Sequence, residues 1–130
     1  MIILDTHAII LDALSPRRLS SRARKAIETA AQERQLACAD ISLWEIAMLI
    51  ARGRLDPAMD ARQFLDDLVT ARSLHLLSIT PEIAVLAQAD EFAHGDPADR
   101  LIAATAQSFR APLVTSDERL RTLKSIATIW

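Results

Sequence analysis

One cysteine occurs among the 130 residues, Cys38, so no disulfide can close within the chain and no zinc cluster can be built from cysteines. Its surroundings, Leu36-Ala37-Cys38-Ala39, are those of a small buried hydrophobe in a strand. Aromatic residues make up only 4% of the chain, so extended base stacking is poorly supplied. Any nucleic acid would have to be met through phosphates, shape or a few bases. Charge of one sign is not in excess either: the net charge is -2, and contact with a polyanion would need a local basic patch, not a global field. No apolar run reaches the roughly 18 residues of a membrane span, and no basic segment leads into an apolar one at the start. A soluble, reducing, cytoplasmic setting is expected, with no membrane contact. No repeat, linker or low-complexity stretch divides the sequence, so residues 1–130 are expected to form a single domain. Hydrophobic residues amount to 51%, which argues against disorder.

The chain is organised around its first residues, Met1-Ile2-Ile3-Leu4-Asp5-Thr6-His7. The unbroken run Ile2-Ile3-Leu4 reads as a strand buried on both faces, and it stops abruptly at a carboxylate. In open α/β sheets, ligands bind beyond the carboxyl ends of the strands, which is where Asp5 would sit. A helix from Thr6 to Leu14 follows, then one capped by Ser20 or Ser21 and running to about Glu33. Leu36 to Ala39 is a second strand. Seven of the eight residues from Leu43 to Ile50 are apolar, which predicts a largely buried helix closed by Gly53. Asp60 to Arg72 is amphipathic, Leu74 to Ile79 a third strand, and Thr80-Pro81 a helix start reaching to about Phe92. His94-Gly95 reads as a loop. Asp96-Pro97 opens an alanine-rich helix, Pro112 to Thr115 is a fourth strand, and Ser125 to Trp130 supplies a last one. Strands alternating with helices predict a three-layer α/β/α sandwich around a mainly parallel sheet.

Four carboxylates fall at element ends: Asp5, Glu45, Asp99 and Asp117. Each has a structural explanation. Ser42 and Glu45 have capping-box spacing. Asp99 stands at the third position of its helix, where the dipole favours an acid. Asp5 and Asp117 follow strands and can start turns. Together they say more, because a parallel sheet would bring all four to one edge. Ionised carboxylates about 5 Å apart repel by roughly 3 kcal/mol per pair at an effective dielectric near 20. Either their pKa values rise or a hard divalent cation offsets the repulsion. Magnesium takes oxygen ligands and keeps several waters, leaving room for a phosphate.

The segments Leu4-Asp5-Thr6-His7-Ala8, Ser42-Leu43-Trp44-Glu45-Ile46-Ala47, Gly53-Arg54-Leu55, Asp96 to Ala106 and Leu113-Val114-Thr115-Ser116-Asp117 stand in one order along almost the whole chain. In them the sequence resembles the PIN-domain family, in particular the VapC-like toxin ribonucleases of bacterial toxin–antitoxin pairs. The resemblance implies a compact α/β/α fold and RNA cleavage dependent on Mg2+ or Mn2+. It places Asp5, Glu45, Asp99 and Asp117 at the acidic positions, as both catalytic residues and metal ligands. It also implies a small antitoxin partner and a homodimer. Ala98 departs from the commonest pattern, which often has a bulky aromatic there; packing or substrate fit is affected, not the acids.

Thr6 and Ser116, beside site carboxylates, are expected to orient them or a metal-bound water, although turn chemistry would explain them equally well. His7 is a further phosphate or supporting group, whereas His75 and His94 read as structural or solvated. Arg100, next to Asp99, is a phosphate candidate by position. Arg17 and Arg18 open a basic run, Pro16 to Lys25, that would attract an RNA backbone if it is not simply a solvated face. Phe64, Leu65 and Leu68, with the helix around Trp44, either border a groove for a partner helix or fill the core. Three functions remain in view: a toxin endoribonuclease, a PIN nuclease of RNA maturation without an antitoxin, and a non-catalytic binding module. The third would bind no metal; a genomic neighbour encoding a short DNA-binding protein separates the first two. A phosphotransfer receiver is set aside, since Thr6 and not a second acid follows Asp5, and the only late lysine is Lys124.

Overall fold

A computed structural model describes residues 1–92 and 95–130. His94, read from the sequence as part of a loop, lies outside the described residues. Five parallel strands form one sheet in the order β3-β2-β1-β4-β5, with β1 (Ile2–Leu4) at its centre. Its neighbours are β2 (Leu36–Ala39) and β4 (Leu113–Val114); β3 (His75–Leu77) and β5 (Thr128–Ile129) are the edges. The register pairs Leu4 with Cys38 on one side and with Val114 on the other.

The two-residue period of the strands builds two separate cores. Ile3, Ala37, Leu77 and Leu113 point to one face, where α5 (Pro81–Leu86), α6 (Pro97–Phe109) and α7 (Glu118–Arg121) pack through Ile83, Ile102 and Leu120. Leu4, Leu36, Cys38 and Val114 point to the other. There α1 (Thr6–Leu14), α2 (Ser21–Gln32), α3 (Ile41–Ala51) and α4 (Ala61–Ala71) pack through Ile9, Ile27, Ile46 and Phe64. The expected three layers are present, and the all-parallel sheet explains why the strand segments are apolar on both faces. Ala103, Ala104 and Ala106 are almost fully buried, so α6 lies close against the sheet as its small residues require.

Several boundaries differ from the sequence reading. The helix from Pro81 ends at Leu86, and a separate 3-10 turn covers Asp90–Phe92. The strands β3, β4 and β5 are shorter than their apolar segments. The larger correction concerns α3. Only Ser42 and Ile46 are buried along it, and Trp44 is 59% exposed. Leu43, Ala47, Met48 and Leu49 are half-buried, and Ile41 and Ile50 pack against the two cores, so Trp44 is the large apolar side chain that the helix turns to solvent.

Arg72, at the end of α4, ties three helices together. Its Nε and Nη2 donate to the two carboxylate oxygens of Asp12 on α1, at 2.9 and 2.7 Å, and Nη2 donates to Glu28 of α2 at 2.8 Å. The Asp12 side chain is only 8% exposed, so it depends on this partner. Arg72→Met is expected to cost about 2–3 kcal/mol in urea unfolding, because it leaves a buried carboxylate unpaired. The double variant with Asp12→Asn is expected to recover part of the loss. Equal stability of the single variant and the wild type would contradict this role.

Candidate active site

The chain leaves the central strand towards β2 and β3 and returns on the other side through β4 and β5, so the sheet changes direction between β1 and β4. A crevice opens beyond the carboxyl ends of strands at such a point. Asp5 and Asp117 both stand there. Asp5 follows β1 and caps α1: its backbone is extended, and Oδ1 accepts the Ala8 N–H at 2.7 Å. Asp117 follows β4 and caps the short α7, its Oδ1 accepting the Arg119 N–H at 2.9 Å. The capping explanation and the common placement therefore hold at once.

The other two acids come from helix starts. Asp99 is the third residue of α6, where Pro97 occupies the first turn and Asp96 caps, with Oδ1 accepting the Asp99 N–H at 2.8 Å. Glu45 lies in the second turn of α3. The capping box expected from Ser42 and Glu45 does not form, because the helix begins earlier, after Asp40. Ser42 is instead inside the helix and fully buried, with its hydroxyl hydrogen-bonded to that of Thr6 at 3.0 Å. The Thr6 hydroxyl donates to Glu45 Oε1 in a short contact. Thr6 thus joins the first turn of α1 to α3 and fixes where the Glu45 carboxylate stands.

Asp5, Thr6, His7, Ile10, Glu45, Leu49, Asp99, Ser116 and Asp117 line a single cleft of about 350 Å³. Six residues singled out in the sequence as site or supporting groups meet in it, and His7 with them. The three cations singled out do not line it. Arg100 donates through Nε to the Ala87 carbonyl at 2.9 Å and through Nη2 to Gln88 Oε1 at 3.3 Å, so its guanidinium ties α6 to α5. It borders an adjoining hollow of about 290 Å³. Arg17 and Arg18 are exposed on the 3-10 turn Pro16–Arg18. Arg119 was not legible as part of the site. Its Nη2 lies 3.0 Å from Asp117 Oδ2 and 3.4 Å from Asp99 Oδ2. The only sequence signal was its spacing of two from Asp117, too common a spacing to be informative.

The electrostatics are those of crowded carboxylates. Burial pushes the Asp5 carboxyl above its ordinary value, against hydrogen bonds from Thr115 and Ala8 that favour ionisation. Burial also raises Glu45, with Asp96 and Asp5 adding to the effect while the Thr6 hydroxyl opposes it. Asp99 is pushed up to about 6, by burial first and then by the charges of Asp96, Glu45 and Asp117, with Arg119 pulling the other way. Asp117 alone is held below its ordinary value, through its hydrogen bonds with Arg119.

The chemistry of this set suits a hard divalent cation. Every acidic donor is a carboxylate oxygen, three of the four resist ionisation while uncompensated, and a positive guanidinium already bridges the remaining one to Asp99. Among the described residues no three His, Cys, Asp or Glu side chains form a preformed ligand group. Magnesium does not require one, since it is commonly held by one or two carboxylates and keeps the rest of its shell as water.

Residues 2–126 match the family model of the PIN domain, and the chain belongs to that family. Over 132 aligned residues it is 39% identical to Ribonuclease VapC22 of Mycobacterium tuberculosis (strain ATCC 25618 / H37Rv), covering 99% of this chain and 98% of that one. Among solved structures it is similar to VapBC2 from Rickettsia felis bound to a promoter DNA fragment, with a TM-score of 0.75, 17% identity, and 98% and 97% of the two chains covered. It is also similar to a toxin–antitoxin complex from Klebsiella pneumoniae, with a TM-score of 0.66, 19% identity, and 98% and 97% covered. For FitAcB from Neisseria gonorrhoeae the TM-score is 0.64 at 19% identity, with 98% and 96% covered. At these identities the solved structures speak for the fold alone, and the fold agrees with the α/β/α sandwich expected from the sequence.

Proposed function

We propose that the chain is a metal-dependent endoribonuclease, the toxin of a VapBC-type toxin–antitoxin pair, hydrolysing RNA phosphodiester bonds in the cytoplasm. The observation that carries this reading is the meeting of Asp5, Glu45, Asp99 and Asp117, from four separate elements, in one cleft. The relative named as a ribonuclease supports it at 39% identity over nearly both full lengths. In this reading Asp5, Glu45, Asp99 and Asp117 would hold Mg2+, or Mn2+ in its place, which when bound would supply Lewis acidity towards water and the phosphate. Thr6 holds Glu45 in position from α1. Thr115, fully buried, accepts the Asp117 N–H at 3.1 Å and sets the turn that presents Ser116 and Asp117. Electrostatic attraction for RNA outside the cleft falls to exposed cations such as Arg17 and Arg18. The test is cleavage of RNA by the purified chain. Chelation is expected to abolish it, and Mg2+ or Mn2+ to restore it; full cleavage in chelator would refute the reading.

A toxin needs a restraining partner, and solved toxin–antitoxin complexes share this fold. Phe64 and Leu68 are buried in the core and also line an open apolar hollow of about 390 Å³ between α1 and α4. Leu14 and Met59 line it too and are 41% and 47% exposed. This hollow is the proposed seat of an apolar antitoxin segment; Leu65 and Trp44, expected beside it from the sequence, do not line it. Leu14→Glu is expected to weaken capture of the co-expressed antitoxin more than tenfold while sparing cleavage. Undiminished capture would place the partner elsewhere.

A further inference from the structure

We infer that Arg119 is the resident counter-cation of the acidic cleft, holding Asp99 and Asp117 together while no divalent ion is bound and competing with that ion for their oxygens. The inference rests on the metal-site reading above. Both carboxylate oxygens of Asp117 are engaged by this one residue: Oδ1 accepts the Arg119 N–H at 2.9 Å and Nε–H at 3.3 Å, and Oδ2 accepts from Nη2 at 3.0 Å. The same Nη2 reaches Asp99 Oδ2 at 3.4 Å, so one guanidinium spans acids delivered by α6 and α7. The opposite wall is different. Asp5 and Glu45 are met by the Ala8 amide and the Thr6 hydroxyl, which are neutral donors. A divalent ion meeting Asp5 or Glu45 displaces no charge. An ion meeting Asp99 and Asp117 would be set beside a guanidinium on shared oxygens, and like charges that close repel. Entry of the metal therefore requires the Arg119 pairs to open. The side chain is placed to do so: it is 60% exposed, while its neighbour Leu120 is buried and keeps α7 anchored.

The inference is tested by calorimetric titration of the metal-free chain with MgCl2 and MnCl2 for the wild type, Arg119→Gln, Arg119→Lys and Arg121→Gln. Arg121 lies on the same short helix, pairs with Glu118 at 3.2 Å and has no contact with the four acids, so its variant removes an equal charge without touching the competition. Arg119→Gln is expected to bind both ions about two- to fivefold tighter, the range that the coupling of an exposed ion pair sets. Arg119→Lys should stay nearer the wild type and Arg121→Gln at it. Metal-free Arg119→Gln should also melt below the wild type, with saturating metal bringing the two together. Unchanged or weaker binding by Arg119→Gln, or an equal gain in Arg121→Gln, would overturn the competition. A wild-type chain that binds neither ion would overturn the metal site itself.

Discussion

Asp99→Asn is expected to lower metal-dependent RNA cleavage by on the order of a hundredfold or more, as loss of one preorganised charge at a reacting centre does, while the protein folds at least as well as the wild type. The two halves of this expectation have one cause. Asp99 is three-quarters buried and stands among Asp96, Glu45 and Asp117, and without metal its negative charge is unwelcome enough to move its pKa up to about 6. Asparagine keeps the shape and removes the charge. The bound ion loses an anionic ligand, and the empty fold loses a source of repulsion. Asp96, three residues earlier, should behave in the opposite way. Its Oδ1 accepts the Asp99 N–H at 2.8 Å as the helix cap, and asparagine caps about as well as aspartate. Asp96→Asn should keep most activity, whereas Asp96→Ala should lose about 1 kcal/mol of stability with the cap. Melting temperature, metal titration and cleavage rate for the three variants decide the matter. A dead Asp96→Asn beside an active Asp99→Asn would mean that the site belongs to the other aspartate.

Those two aspartates show which parts of the molecule were legible in the sequence. Proline after Asp96 assigns the cap, because proline fits the first helical position, and the structure agrees. Ile3 and Leu4 were legible as doubly buried because nothing polar interrupts them, and they do point into two different cores. The placing of all four acids at one edge followed from a parallel sheet, since every strand then ends on the same side. What failed had physical causes as well. The Ser42–Glu45 spacing fits a capping box, but that motif needs Ser42 to precede the helix, and the helix starts at Ile41. The spacing alone carries no information about where the helix begins. Along α3 the reading failed at Trp44, which faces solvent, because an all-apolar segment has no polar face to reveal its orientation. Arg100 was placed by adjacency to Asp99, yet consecutive helical residues point about 100° apart, and it faces α5. Arg119 was passed over because its role depends on a short turn after Asp117 that folds the side chain back between two acids.

The metal-free protein is expected to become more stable on acidification from pH 7.5 to pH 5, against the usual direction for a domain held by ionised carboxylates. Asp99 titrates near 3.8 in the unfolded chain and at about 6 in the fold, so between those values the native state binds more protons than the unfolded state. Stability then falls as pH rises through this window and levels off above it. Asp5 and Glu45 are raised too and push the same way. Asp117 acts oppositely, since its pKa is lowered: its contribution is present above the unfolded value and is lost only as pH falls through the depressed folded one, below the window. Over this window, with some screening by solvent, Asp99 alone should account for on the order of 1 kcal/mol, or a rise in melting temperature of about 3–5 °C at pH 5. Saturating Mg2+ should reverse the order, because the ion binds ionised carboxylates and stabilises the fold that holds them. The metal-induced shift in melting temperature should therefore shrink as pH is lowered, and Asp99→Asn should flatten the metal-free profile. The measurement is a series of thermal melts from pH 4.5 to 8 with chelator and with Mg2+. A metal-free melting temperature that is constant or falls between pH 7.5 and 5 would show that burial and mutual repulsion do not disfavour these charges in the fold, and the principal electrostatic reason for a cation in the cleft would go with it.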